Sequence, residues 1–266
     1  MEKVTVIKVG GAVVEDAHSL GTLLDRFASI PGHKVLVHGG GRSATRIATN
    51  LGIESQMIGG RRITDGDMLQ VVTMVYGGLV NKNIVAQLQA RGVNALGLTG
   101  CDMDVIRSHK RPLRKVQMED GTTQMVDFGW VGDVDCVNGH MLGTLISQGI
   151  VPIMAPLTHD GQGHMLNTNA DTIASETARA LTHHFDVTLV YAFEKKGVLR
   201  DASDDDSVIA HITEADYQQL KAEGIISGGM IPKLDNAFDA IHQGVSRVII
   251  TNAETIGQDN GTVINA

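Results

Sequence analysis

The chain of 266 residues is 42% hydrophobic and 20% charged, and it carries a formal net charge of −8. This hydrophobic content is sufficient for a folded core and excludes a disordered chain. The negative charge and an aromatic content of only 3% argue against a nucleic-acid-binding surface. No apolar run approaches the roughly 20 residues of a membrane span, and no signal peptide precedes the first strand, so we expect no membrane association and a cytoplasmic location.

The two cysteines, Cys101 and Cys136, are far apart in the sequence and lack the spacing of metal ligands. This usage fits a reducing compartment, and neither residue is expected to be catalytic. We predict that both are small buried side chains.

The first predicted strand carries a lysine, which buried strands rarely do. The segment from Val4 to Val9 is apolar or β-branched apart from Lys8, and Gly10 and Gly11 follow at once. Glycines let the backbone turn sharply and approach a ligand closely. Lys8 is therefore suited to holding a phosphoryl group, although an edge strand with its lysine in solvent has the same pattern.

The order of strand, glycine turn and helix then occurs a second time. A strand over 34–38 ends in Gly39-Gly40-Gly41, and a helix with one apolar face follows. This pattern is typical of a βαβ unit with a parallel sheet. Both glycine turns are then expected at the carboxyl edge of that sheet, where open α/β sheets bind ligands.

Hydrophobic periodicity and turn residues predict the remaining elements. Strands are predicted at 95–98, 150–154, 187–191, 245–250 and 261–264, and helices at 20–27, 68–88, 139–148, 170–182, after Thr213 and around Lys233. Small hairpins are predicted at 53–64 and around 160–163. Thr64 and Asp67 match a helix-start box. Residues 103–126, with a turn near Asp120-Gly121, are predicted to form an antiparallel excursion at the sheet edge.

Lysines from two parts of the chain suggest phosphate chemistry. Lys233 follows Gly228-Gly229, a further glycine turn that leads into a helix. Together with Lys8 it could bracket a transferring phosphoryl group, and Asp171 has the chemistry to keep both ammonium groups aimed.

A dinucleotide site is an alternative reading of the same region. Gly39 to Ala44 satisfies the string G-x-G-x-x-A, which is weak evidence by itself. Arg61-Arg62 stands where an acidic residue would bind NAD, and an arginine can accept a 2′-phosphate, so NADP binding stays open.

Six short strings, in this order, resemble the amino-acid kinase family and, within it, the acylglutamate kinases. They are Ile7-Lys8-Val9-Gly10-Gly11, Val37-His38-Gly39-Gly40-Gly41, Gly60-Arg61-Arg62-Ile63-Thr64, Gly129-Trp130-Val131-Gly132-Asp133-Val134, Asn167-Thr168-Asn169-Ala170-Asp171 and Gly229-Met230-Ile231-Pro232-Lys233. The resemblance runs from residue 4 to residue 264. It implies a three-layer αβα sandwich around a mostly parallel sheet, with an acylglutamate-binding and dimerisation lobe over 1–180 and a nucleotide-binding lobe over 181–266.

The resemblance also implies an activity. This is ATP-dependent phosphorylation of the side-chain carboxylate of N-acetyl-L-glutamate, or of its N-succinyl analogue, to an acyl phosphate in arginine biosynthesis. Mg²⁺ would be held through the ATP phosphates, and the enzyme would be a homodimer.

Matching positions carry the family's site residues onto this chain. The catalytic residues implied are Lys8, Lys233 and Asp171. The substrate-binding residues implied are Gly40, Gly41, Arg62, Asn167 and Asn169, with the arginine gripping the α-carboxylate. The nucleotide-binding residues implied are Gly10, Gly11, Glu194, Lys195, Gly197, Gly229 and Met230.

The sequence departs from the family pattern after the strand at 187–191. The family has Ser-Asp-x-x-Gly there, whereas this chain reads Ala192-Phe193-Glu194-Lys195-Lys196-Gly197. The altered segment leaves open a non-catalytic ligand sensor on the same fold. A cluster of basic residues could serve the second carboxylate of a succinyl group or form a solvated face. Its members are Arg107, Lys110, Arg111, Arg114 and Lys115.

Overall fold

A computed structural model of the protein describes residues 1–118, 121–228, 230–258 and 261–265. The strands are β1 (Lys3–Val9), β2 (His33–His38), β3 (Met57–Ile58), β4 (Arg61–Arg62), β5 (Ala95–Leu98), β6 (Ile106–Lys110), β7 (Arg114–Gln117), β8 (Thr123–Val126), β9 (Gly132–Val137), β10 (Val151–Met154), β11 (Leu157–His159), β12 (Met165–Asn167), β13 (Asp186–Phe193), β14 (His211–Ile212), β15 (Arg247–Asn252) and β16 (Thr262–Ile264). The α-helices are α1 (Gly11–Glu15), α2 (Ala17–Ser29), α3 (Gly41–Asn50), α4 (Gly66–Val72), α5 (Asn81–Gln89), α6 (Gly139–Ser147), α7 (Ala170–Leu181), α8 (Glu214–Ala222) and α9 (Met230–His242). None of these helices, within the residues described, is long and apolar enough to cross a membrane.

Strand β1 lies in the middle of an eight-stranded sheet whose order is β14-β16-β15-β13-β1-β2-β10-β5. Neighbouring strands are parallel except β15 and β16, which are antiparallel. Strands from the first part of the chain form one side of the sheet, β13 to β16 form the other, and the two sides meet at the β1–β13 pair. Helices cover both faces, which confirms the predicted three-layer fold with a mostly parallel sheet.

The side chains of β1 alternate between the two faces of the sheet. Val4 and Val6 belong to one hydrophobic core, and Ile7 and Val9 belong to the other. Lys8 follows Val4 and Val6 in the two-residue period of a strand, so it points to the face that α7 covers. The alternative of an exposed edge strand is therefore wrong, because β1 has a parallel neighbour on each side.

The long helix predicted over 68–88 is present, but it begins differently. A π-helical segment, Thr73–Val80, joins α4 to α5 without a break. The side chain of Asp65, not Thr64, caps the helix by accepting a hydrogen bond of 2.8 Å from the Met68 amide. The predicted box at Thr64 is wrong because the Thr64 backbone is engaged elsewhere, where its amide donates to the Phe128 carbonyl and its own carbonyl accepts from the Trp130 amide.

Residues 103–126 do not lie at the edge of the large sheet as predicted. They contribute β6 to a separate four-stranded sheet, ordered β12-β11-β6-β9, and form the two-stranded ribbon β7-β8. Their alternating pattern correctly indicated antiparallel pairing, but alternation does not specify which sheet a strand joins. Asp120, at the predicted turn, lies outside the described residues.

Both cysteines are exposed, contrary to the prediction that they are buried. Cys101 lies in the turn after β5, and Cys136 lies on β9, an edge strand of the four-stranded sheet. An outer strand leaves side chains uncovered that a central strand would bury, so a general preference of cysteine for the core did not decide these two positions.

Candidate functional site

Two glycine turns lie side by side where β1 and β2 end. We call Gly10, Gly11, Gly39, Gly40 and Gly41 the glycine cradle. The turns are joined to the sheet by hydrogen bonds of 3.2 Å from the Gly10 amide to the Ala192 carbonyl and from the Gly39 amide to the Val9 carbonyl. A methyl group placed on Gly11 would lie 3.8 Å and 3.9 Å from the amide nitrogens of Gly40 and Gly41.

The cradle therefore offers backbone donors to an anion. Gly41 is the first residue of α3 and Gly11 the first of α1, so neither amide has an acceptor within its own helix. Such amides at the carboxyl edge of a parallel sheet form an anion-binding site. The site also excludes a side chain at Gly40, because a methyl group there would lie 2.9 Å from the ring of Tyr76 on the π-helical segment.

A buried histidine supports the second turn from behind. His38 Nδ1 lies 2.7 Å from the Gly39 carbonyl oxygen, which can only accept, so Nδ1 carries the proton. Its Nε2 accepts a hydrogen bond of 3.1 Å from the side-chain amide of Asn81. Burial lowers the pKa of His38 to about 4, so the ring is neutral near pH 7 and serves to hold the turn.

Lys8 forms an ion pair with Asp171 across the face of the sheet. The Lys8 Nζ lies 2.8 Å from Asp171 Oδ1. Asp171 is in the first turn of α7, where the side chain of Asn169 caps the helix by accepting from the Asp171 amide at 2.7 Å. The cap directs the start of α7 at β1, so the Asn-x-Asn-x-Asp string brings its carboxylate to Lys8.

Lys233, on α9, reaches the same place from the other side of the cleft. Its Nζ lies 3.8 Å from the centroid of the Phe193 ring, and the Nζ of Lys8 lies 5.0 Å from that centroid. Burial lowers the pKa of Lys233, and the positive charge of Lys8 adds to this effect, whereas Asp171 and Glu194 oppose it. The structure thus brings the three residues implied as catalytic together around one aromatic ring.

A cleft of about 500 Å³ opens above the glycine cradle. Its lining includes Lys233, Phe193 and Arg42. It also includes most of the residues implied as nucleotide-binding, namely Gly10, Gly11, Glu194, Lys195, Gly197 and Met230. Gly229 lies outside the described residues. The lysines of the altered segment have partners in the loop that follows, since Lys195 binds Asp205 at 2.6 Å and Lys196 binds Asp206 at 2.8 Å.

Of the side chains implied as substrate-binding, Arg62 contacts the glycine cradle directly. Arg62 donates to the Gly41 carbonyl at 2.9 Å, to the hydroxyl of Thr45 at 2.8 Å and to the hydroxyl of Ser55. The side-chain amide of Asn167 donates to the Thr64 hydroxyl at 2.9 Å. Gly40 and Gly41 are within the cradle, whereas the side-chain oxygen of Asn169 is already used as the helix cap.

The basic cluster in the excursion has partners of its own. Arg111 and Arg114 both bind Asp133, at 2.6 Å and 3.3 Å, and Arg107 pairs with Asp104. Burial alone would raise the pKa of Asp133, but the two guanidinium groups outweigh it and the pKa is lowered. Each of these three arginines therefore already has a carboxylate partner within the protein, with Arg111 and Arg114 sharing Asp133.

Sequence reasoning missed three contributors to this site. Phe193 and Tyr191 lie on the same side of β13 with stacked rings, whose centroids are 5.8 Å apart. The period of two, with aromatic residues at the end of a buried strand, was a signal that could have placed both beside Lys8. Asn81 was also missed, because its contact with His38 joins positions far apart in the sequence.

The fold and this site define a class of protein. Amides, lysines and an aspartate converge at the carboxyl edge of a parallel sheet, which is the arrangement of an α/β phosphotransferase. The described residues contain no group of three or more histidine, cysteine, aspartate or glutamate side chains that could hold a metal ion.

Comparison with known proteins identifies the family. The profile of the amino acid kinase family matches residues 3–252, so the chain belongs to this family. The chain is 66% identical to an acetylglutamate kinase of Bacteroides thetaiotaomicron, covering 99% of this chain and 98% of that protein. It is 39% identical to an acetylglutamate kinase of Methanopyrus kandleri, covering 97% and 99%.

Solved structures agree with this assignment of the fold. The protein smu.665 of Streptococcus mutans superposes with a TM-score of 0.76 at 28% identity, covering 99% of this chain and 98% of that one. A carbamate kinase of Giardia superposes with a TM-score of 0.68 at 15% identity, with 98% of each chain covered, and shows the shared fold alone.

Proposed function

We propose that the protein transfers the γ-phosphoryl group of ATP to the side-chain carboxylate of N-acetyl-L-glutamate, in the biosynthesis of arginine. The observation that carries the proposal is that Lys8, paired with Asp171, and Lys233 both approach the ring of Phe193, which together with Lys233 lines the cleft above the glycine cradle. Acetylglutamate kinases at 66% identity over nearly the whole chain support this choice of acceptor.

The chemistry requires no general base. A carboxylate oxygen of the acceptor attacks the γ-phosphorus, the bond from that phosphorus to the β,γ-bridging oxygen breaks, and ADP leaves with the bond's electron pair. Negative charge is spread over the transferring group, so positioned cations and amides are the main catalytic resource. Lys8 and Lys233 supply the cations, the glycine cradle supplies the amides, and Asp171 keeps the ammonium groups directed into the cleft. Mg²⁺ bound to the ATP phosphates would neutralise part of their charge.

In this proposal, Arg62 and Asn167 position the acceptor. Arg62 offers a planar pair of donors to the α-carboxylate, which suits a guanidinium better than an ammonium group. Its present partners are carbonyl and hydroxyl oxygens, and a carboxylate is a stronger acceptor than either. Asn167 would bind the same carboxylate or the acetyl amide, while Asn169 acts through the cap that places Asp171.

The nucleotide would enter over the altered segment. Glu194, Lys195, Gly197 and Met230 line that side of the cleft. The proposal includes a cytoplasmic homodimer formed through the π-helical segment, on which Met74 and Leu79 remain 56% and 55% exposed. Large apolar side chains exposed on one helix are typical of a protein interface.

The direct test is ADP release from ATP and Mg²⁺ with N-acetyl-L-glutamate as acceptor. We expect turnover with this acceptor and little with free glutamate or aspartate. Turnover with the free amino acids alone would contradict the proposal. Tight binding of acceptor and nucleotide without ADP release would instead identify a ligand sensor, the second candidate, which the altered segment at 192–197 motivates. The NADP alternative has no support from the family, and a melting temperature unchanged by NADP would close it.

A further inference from the structure

Phe193 stands where the two site lysines meet. Its ring centroid lies 3.8 Å from the Nζ of Lys233 and 5.0 Å from the Nζ of Lys8. Both distances are within the roughly 6 Å at which a cation is attracted to the face of an aromatic ring. The same residue lines the cleft above the glycine cradle.

The fold fixes the position of this ring. Tyr191 is paired in register with Lys8 on the neighbouring strand. Phe193 follows two residues later on β13 and therefore on the same side of the sheet. The rings of Tyr191 and Phe193 are parallel to within 2°, and Tyr191 is only 2% exposed. A buried aromatic neighbour thus holds the Phe193 ring at the strand end.

The charges around the ring explain why an aromatic side chain suits this position. Lys8 approaches from β1 and Lys233 from α9, and these like charges repel each other. Asp171 from α7 and Glu194, which directly follows β13, are the acidic groups that face them. A further carboxylate would stabilise the ammonium groups but would also repel the incoming phosphates. An aromatic ring attracts both cations through its quadrupole and carries no net charge.

We propose that Phe193 is a positioning residue, whose ring holds the ammonium groups of Lys8 and Lys233 toward the cleft so that they meet the transferring phosphoryl group together. This inference rests on the proposed kinase function, and it assigns to Phe193 an effect on the chemical step rather than a contact with the acceptor.

Stepwise fluorination of the Phe193 ring tests the electrostatic part directly. Fluorine withdraws the negative potential of the ring face while the shape is nearly kept. We expect kcat to fall progressively from phenylalanine through monofluoro- to pentafluorophenylalanine, by about tenfold in total, with both KM values within about twofold of wild type. The matched control is Phe238, which stacks on Tyr217 in the same half of the chain. Fluorination there should give no trend, and a flat series at Phe193 would overturn the proposal.

Ordinary substitutions supply the second test. Phe193→Leu should lower kcat about tenfold, and Phe193→Tyr, which keeps a ring, should restore most of it. Because the ring favours the charged form of Lys233, Phe193→Leu should move the alkaline limb of the kcat profile to lower pH, whereas Phe238→Leu should not move it. A Phe193→Leu enzyme with unchanged kcat and a raised KM for ATP would show a nucleotide contact and refute the positioning role.

A measurement without turnover separates this proposal from the proposed function. Amine labelling of Lys233, followed by mass spectrometry across a pH series, reports its ionisation in the unliganded protein. The midpoint should lie at lower pH in Phe193→Leu than in wild type. If wild type fails to release ADP but the midpoint moves, the kinase assignment fails and the ring–lysine interaction stands. If wild type turns over and the midpoint is unchanged, only the inference about Phe193 fails.

Discussion

Lys8 and Lys34 lie on neighbouring strands and are equally buried, each 8% exposed, but their ammonium groups have different partners. The ammonium group of Lys34 donates to the carbonyls of Ala28 and Ile30, both at 2.8 Å, and so satisfies the carboxyl end of α2. Each ammonium group also lies near an aromatic ring, but among the described residues only Lys8 has an acidic partner, and only its ring, Phe193, lines the open cleft. A buried lysine is thus uninformative until its partner is known.

This pair of lysines gives a matched test of the catalytic role. Lys8→Met should lower kcat at least ~100-fold, which is typical of removing one electrostatic donor from a transition state. Lys34→Met removes an equally buried lysine remote from the cleft and should lower stability while leaving kcat close to wild type. ADP-release kinetics with saturating ATP and N-acetyl-L-glutamate distinguish the two. Equal losses of kcat in both variants would indicate a general effect on folding.

Arg62 and its neighbour Arg61 give a second matched pair. Arg62→Ala should raise KM for the acceptor with a smaller effect on kcat, because a grip on the α-carboxylate acts in the ground state and the transition state alike. Arg61 is exposed on the same short strand, so Arg61→Ala should change neither constant by more than about twofold. The prediction fails if Arg62→Ala lowers kcat alone, with KM unchanged.

Much of the site was predictable from short strings, because glycine turns and a lysine at a strand end have local physical causes. The contacts between distant elements were not. Asn81 and His38 meet only once β2 and the helix over 66–89 have packed together, and no local pattern at either residue indicates the other. The alternation along β13 could have placed Phe193 beside Lys8, but nothing local indicated its contact with Lys233, which lies on α9.

At the scale of elements, the presence of the helices and strands was predicted better than their boundaries and their neighbours in the fold. The helix predicted after Thr213 is α8, and Thr213 and Asp216 form a capping box at its start, with both reciprocal hydrogen bonds present. Thr64 matches a similar pattern, yet its backbone joins the Gly129 segment and leaves the cap to Asp65. A long-range backbone contact therefore overrode a local signal. The excursion likewise paired with β9 and β11 rather than with the large sheet.

Gly129 tests how strongly this backbone contact constrains the chain. A methyl group there would lie 2.2 Å from the Thr64 carbonyl oxygen, and the residue has φ of +72°. Gly60 has nearly the same φ, +74°, with no atom within 4 Å of the added carbon. Gly60→Ala should therefore lose about 1–2 kcal/mol of unfolding free energy from the left-handed backbone alone, and Gly129→Ala a further ~1–3 kcal/mol from displaced backbone. Denaturant unfolding measures both, and equal losses would contradict the contact.

At the scale of the whole molecule, His38 couples folding to pH. Its pKa is lowered from 6.5 to about 4, chiefly by burial. Between these values the unfolded chain binds a proton that the folded chain does not, so stability is fully present above pH 6.5 and is lost as the pH falls toward 4. The ring extends from β2 and is fully buried against the helix that carries Asn81, so its protonation would disturb the packing of the sheet against that helix.

The expected loss is about 3 kcal/mol of unfolding free energy from this residue alone across that range. His38→Leu should flatten the corresponding part of the stability profile measured by urea unfolding at a series of pH values. At pH 8, where His38 is neutral in both states, the same comparison gives the cost of its lost hydrogen bonds. An unchanged slope in His38→Leu would show that other groups govern acid sensitivity.

The central place of β1 has a consequence for how the molecule is assembled. Its first edge pairs with β2, which follows closely in the chain, but its second edge pairs with β13, through residues as distant as Lys3 and Asp186. During synthesis that second edge stays unpaired until Phe193 has been made. Contacts of such separation slow folding, and an apolar strand with an open edge is prone to aggregate. A nascent chain that ends before β13 is therefore the form most in need of a chaperone.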